Sequence, residues 1–118
     1  MRARSLAFLL VLAPVALAAQ GRSPLDPTVY GVIYDVPAMR GVELREGVQY
    51  GTSSGRRLLA DIYRPRGLGA GERRPAVVFI NAVGDGRDST ERVRQWEIYR
   101  SWPRLVAAHG MIGVSMDA

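Results

Sequence analysis

The sequence predicts an α/β fold, a β-hairpin followed by a strand–helix–strand parallel crossover. Three observations carry that prediction. Two extended runs, GVELREGVQYGT and LLADIYRP, flank the turn-forming SSGRR and read as a hairpin. Farther on, AVVFINAV and MIGVSMDA are apolar runs that hardly alternate, the pattern of strands covered on both faces. Between them lie a glycine-rich turn and a stripe of helical period, and such a unit closes as a right-handed crossover.

The elements follow in chain order. Residues 1–18 read as a secretory signal: MRAR is a positive start, LAFLLVLAPVALA an apolar run, and Ala16-Leu17-Ala18 a small-x-small cleavage site. The run is shorter than the roughly 20 apolar residues a bilayer span needs, and Pro14 breaks it. The mature chain is therefore expected to be exported to a periplasmic or extracellular space, with no stable membrane span once the signal is cleaved. Residues 19–40 hold three prolines and no sustained period, and read as a leader along the domain surface with short extended pieces near Val29–Tyr34. Residues 41–118 form the domain. Pro65 ends the second hairpin strand, because it has no N–H for a ladder. Ile98, Tyr99, Trp102, Leu105, Val106 and His109 then fall on one helical stripe. Pro103 lies inside that stripe, so the helix either starts near Ser101, with its hydroxyl as the cap, or kinks at the proline. Gly110 is placed to close it.

Composition narrows the function. The formal charge is +5, but without Arg2 and Arg4 the remaining 14 arginines stand against 11 acids, a balance of +3. These arginines are scattered and lack interleaved aromatics, which argues against a nucleic-acid partner. With no cysteine and one histidine, the chain forms no disulfide and has too few thiolate or imidazole ligands for a zinc site. No metal and no cofactor is expected.

The stretch FINAVGDGRD, Phe79 to Asp88, carries the chemistry. An apolar strand stops at Asn81 and gives way to Ala82, Val83, Gly84, Asp85 and Gly86, so the backbone is shaped for close approach. Three readings fit. As a phosphate loop it lacks the third glycine of G-x-G-x-x-G, where Ser89 stands, and the Gly-Lys-Ser/Thr of a P-loop. As an oxyanion hole it would aim backbone N–H groups at a carbonyl oxygen gaining charge above the sheet. As a plain turn it would only link strand to helix. Asp85, Asp88 and Glu91 do not follow the EF-hand spacing.

Taken in order, GRRLLADIYRPRG, RRPAVVFINAVGDG and YRSWPRLVAAHGMIGVSMDA resemble the amino-terminal part of an α/β-hydrolase of the esterase and dienelactone-hydrolase type. The family patterns are a hairpin L-x-x-D-x-Y-x-P, a strand P-x-V-V-x-x-H-G-G, a helix A-x-x-L-A-x-x-G and a strand ending V-x-x-D, matched over residues 44–118. The resemblance implies that the loop after the first buried strand supplies part of an oxyanion hole. The backbone N–H groups of Ala82 and Val83 are then the donors, with Asn81, Gly84, Asp85 and Gly86 shaping the loop. Asn81 stands where the family often has His, Ala82 and Val83 where it has glycines, and Gly84 matches a glycine. The implied substrate of the full-length parent is a small carboxylic ester or related acyl compound.

The catalytic triad has no counterpart in the chain. Gly113-Val114-Ser115-Met116-Asp117 departs from G-x-S-x-G only at its last residue, but lies within an expected buried strand, so Ser115 reads as a core serine. His109 reads as a helix-terminal residue suited to the dipole. Asp117 resembles the family acid that shapes the site's floor or a loop, and Trp96, Tyr99 and Trp102 read as packing aromatics. The expectation is an amino-terminal portion of a serine hydrolase of about 250–350 residues, inactive alone. The alternative is a small exported α/β module that binds a partner through the sheet edge left bare after residue 118.

Overall fold

Ser54 and Gly55 turn the chain through a two-residue hairpin loop, both with positive φ. They join strand β1 (Glu43–Ser53) to β2 (Arg56–Arg64) in the antiparallel pair that SSGRR predicts. A computed structural model describes residues 28–80 and 92–118. After the hairpin come β3 (Ala76–Phe79), the helix α1 (Glu97–Ala108) and β4 (Ile112–Met116). Two short 3-10 helices, Pro37–Gly41 and Val93–Gln95, precede β1 and α1. The sheet order is β1-β2-β4-β3, with β3 and β4 parallel and β2 antiparallel to both its neighbours. The α/β arrangement of hairpin and parallel crossover is thus present.

Register assigns the faces. Tyr63 and Val77 both pair with Gly113, while Asp61 and Phe79 both pair with Ser115, so these six residues share one face. That face carries α1, whose backbone descends onto β4: a Cβ added to Gly113 would lie 2.6 Å from Pro103 Cα. The opposite face holds Ala60, Ile62, Val78, Val114 and Met116, and no described helix lies on it. The face under the helix is the more polar of the two.

Four expectations need correction. The run at β3 was expected to be covered on both faces, yet β3 is an edge strand and Val78 is 47 % exposed. The reason is topological: β4 inserts between β2 and β3, leaving β3 the outer position. The bare edge was expected at the last strand, but β4 is paired on both sides and the unpaired parallel edge belongs to β3. The helix was expected to start near Ser101 or kink at Pro103. It starts at Glu97 with Trp96 as N-cap and contains Pro103. The Ser101 hydroxyl accepts the Val32 N–H at 2.8 Å instead of capping. Across Val29–Tyr34 no strand forms; this segment lies against α1, with Glu97 N–H bonded to Thr28 O at 3.0 Å and Gly31 beneath Ser101.

Candidate functional site

The carboxyl ends of β3 and β4 lie side by side, because the two strands are parallel. β3 leads from Phe79 into residues 81–91, and the chain reappears at Arg92. Asn81, Ala82, Val83, Gly84, Asp85 and Gly86, the predicted loop, lie outside the described residues. What is described is how the returning end of that span is held.

The anchor is Arg94, in the 3-10 helix Val93–Gln95. Its Nη1 donates to Asp61 Oδ2 at 2.5 Å and its Nε to Asp117 Oδ1 at 3.0 Å. The side chains of Arg94, Asp61 and Asp117 are 6 %, 2 % and 0 % exposed. The remaining carboxylate oxygens are also occupied: Gly47 N–H donates to Asp61 Oδ1 at 2.9 Å, and Leu59 N–H to Asp117 Oδ2 at 3.0 Å. Burying charge is tolerable only with such complete pairing.

Two β-bulges in β1 serve the same cluster. Register slips between Arg45 and Val48, and again between Gln49 and Gly51. The first sets Glu46 and Gly47 against Asp61 and turns the Gly47 amide to its carboxylate. The second makes Tyr50 the extra residue, and its hydroxyl donates to the Asp117 carbonyl. Bulges re-aim groups in this way, and they concentrate beside functional sites.

Ser115 is fully buried in β4, its hydroxyl directed at the Arg94 carbonyl at 3.4 Å, so it is a strand-core serine. His109 is the C-cap of α1. That places it at the far end of a 12-residue helix, about 20 Å from Trp96. Trp96 Nε1 is buried and has no hydrogen-bond partner among the described residues. Phe79, Ile98, Tyr99 and Trp102 line an open apolar cleft of about 400 Å³, with Trp102 43 % exposed. Among the described residues no three His, Asp or Glu side chains group as a metal site.

Tyr63 lies on the Asp61 face and is buried. Burial first, then the charge of Asp61, raise its phenol above the ordinary value of 10.0, against an opposing pull from Arg100 and Arg104. The folded state therefore holds this proton more tightly than the unfolded chain. The resulting stabilisation is complete below about pH 10 and is lost as pH rises through the folded pKa. Tyr63→Phe is expected to flatten the alkaline fall in urea midpoint above about pH 10; an unchanged fall assigns it to other groups.

The acid of LLADIYRP is legible as a polar residue on an otherwise apolar strand face, but Arg94 has no such signal among sixteen basic residues. The bulges are likewise invisible in the sequence of β1. Comparison with family models, curated proteins and solved structures returns no match to this chain.

Proposed function

We propose that this chain is the amino-terminal portion of an exported serine hydrolase acting on carboxylic esters or related acyl substrates. In this reading the Asn81–Gly86 stretch presents the Ala82 and Val83 N–H groups to the oxyanion. The observation that carries the proposal is the anchoring of the span between β3 and α1. One end leaves the carboxyl end of β3, and the other is fixed by Arg94 to β2 and β4 through two buried carboxylates. An oxyanion donor works by being held in place before charge develops, and a span tied at both ends to a sheet suits that need. Its position, between the third strand and the first helix, is also where α/β-hydrolases supply such a donor.

Topology supports the same location. β4 has neighbours on both sides, so a further strand has to join an outer edge, and at the edge of β3 it would reverse the direction of winding. Ligands of open α/β sheets bind outside the carboxyl ends of strands at such a reversal. A right-handed crossover in the reversed direction would place its helix on the apolar face of Ile62, Val78, Val114 and Met116.

The nucleophile, base and triad acid then belong to sequence beyond Ala118, and reading that sequence for G-x-S-x-G is the first test. In the complete enzyme Ala82→Pro and Val83→Pro each remove one N–H, and each is expected to lower kcat by about 10²–10³ with little change in KM. Unchanged kcat in both variants rejects the assignment. The 118-residue chain alone is expected to turn over no ester above a heat-inactivated control.

The apolar sheet face also favours a second reading, an exported non-catalytic module that binds a partner there. A soluble monomer of this chain with cooperative unfolding supports the module, whereas molten or insoluble material supports the enzyme portion.

A further inference from the structure

A second cleft lies at the other end of the sheet from the Arg94 cluster. β2 ends at Arg64 where β4 begins, because the two are antiparallel. There the 3-10 helix Pro37–Gly41, the residues after β2 and the last turn of α1 line an open cleft of about 530 Å³, with Arg40 and Arg66 exposed at its surface. Pro37, Pro65, Ala107 and Ala108 form an apolar wall of small residues, and Arg40 and Arg66 stand at the same cleft. The Arg66 stem passes over Gly41, with Cδ 3.4 Å from where a Cβ would be.

Neither guanidinium has a hydrogen-bond or ion-pair partner among the described residues. The neighbouring charged groups are already engaged: Arg64 donates to Leu68 O at 3.0 Å, and Glu43 accepts from Gly67 N–H at 3.2 Å. Compensation of the helix dipole is the competing explanation for two cations at the end of α1. However, the last-turn carbonyls of Leu105, Val106 and Ala107 are satisfied by the amides of His109, Met111 and Gly110. Backbone capping therefore leaves the two arginines available.

We propose that this cleft binds a small organic anion, a carboxylate or phosphate monoester, with its head between Arg40 and Arg66 and its hydrocarbon body on the proline–alanine wall. Guanidinium groups match both head groups, and a concave apolar lining with a few polar groups is the usual form of a small-ligand site. The site is independent of the proposed esterase chemistry, which lies at the opposite end of the sheet.

Titration calorimetry of octanoate into the complete folded protein that carries this chain tests this at low salt, with octanol as neutral control and octyl phosphate as the alternative head group. Saturable octanoate binding is expected, weakened at least tenfold in Arg40→Gln/Arg66→Gln and weakened by added salt. Octanol is expected to bind at least tenfold less tightly than octanoate. Ala108→Phe keeps both arginines but fills the cleft, and is expected to abolish binding with the helical circular-dichroism signal retained. As a second readout, octanoate should raise the melting midpoint of the wild type and not of the double variant. Equal binding of octanol, undiminished binding by either variant, or no saturable binding to the wild type overturns the proposal. Binding of octyl phosphate but not octanoate narrows the ligand to phosphate monoesters.

Discussion

Replacing Arg94 by alanine is expected to destabilise the fold by about 3–5 kcal/mol, among the largest effects of any single side chain in the described structure. The side chain joins Asp61 and Asp117, which are both buried, and no other cation reaches them in the described structure. Its removal leaves two carboxylates facing each other without a counter-charge, close to the whole stability of a small domain. Arg94→Lys keeps the charge, but one ammonium on a flexible stem replaces a planar fork that reaches two acids through different nitrogens. That variant is expected to lose one charged hydrogen bond, about 1.5–3 kcal/mol. Asp117→Asn leaves a one-to-one pair, so its cost is expected to fall below that of Arg94→Ala. Urea melts of the three variants measure the order; Arg94→Ala within about 1 kcal/mol of wild type would show that water reaches the cluster. The same change releases the point where the chain returns to α1. In the proposed enzyme it is therefore expected to reduce kcat beyond what the folded fraction explains, through displacement of the donors.

The parts of this fold legible in the sequence are those fixed by local chemistry. Ser54-Gly55 demands a tight hairpin, the apolar runs demand strands, and the stripe ending at Gly110 demands a helix. What was not legible depends on neighbours. AVVF has the composition of a central strand, but its position is decided by where β4 pairs, and β4 lies more than thirty residues later in the sequence. The start of α1 at Glu97 is not legible because Pro103 argues locally against an interior position. In the fold, Pro103 is buried against β4, and tertiary packing outweighs the single lost hydrogen bond. The Arg94 cluster combines residues from β2, β4 and a 3-10 helix, with a bulge in β1 supplying an amide. No linear spacing encodes that convergence. The donor assignment at Ala82 and Val83 rests on the sequence resemblance, and the structure bears on it only through the anchored ends of the span.

Gly113→Ala is expected to be nearly as damaging as the loss of Arg94, for a reason of space rather than charge. The added Cβ would meet the Pro103 carbonyl oxygen directly, and would lie 2.6 Å from Pro103 Cα and 2.8 Å from its carbonyl carbon. These are backbone atoms, so no rotamer change relieves the overlap and the helix must lift from the sheet. Overpacking a core usually costs about 1–3 kcal/mol, and a helix-to-strand backbone collision belongs at or above the top of that range. Gly110→Ala provides the contrast within the same turn. Its φ is +85° with nothing within 4 Å, so only the left-handed backbone penalty applies, about 1–2 kcal/mol. Pro103→Ala is expected not to rescue Gly113→Ala, because the colliding atoms remain after the ring is removed. Rescue in a double-mutant cycle would instead place the ring at the contact. The consequence reaches the candidate site. Lifting α1 at Pro103 moves its amino end, and with it Trp96 and Arg94, away from the carboxyl ends of β3 and β4. A glycine near the start of β4 thus sets how closely the helix approaches the sheet, and through the helix it sets where the span after β3 is anchored.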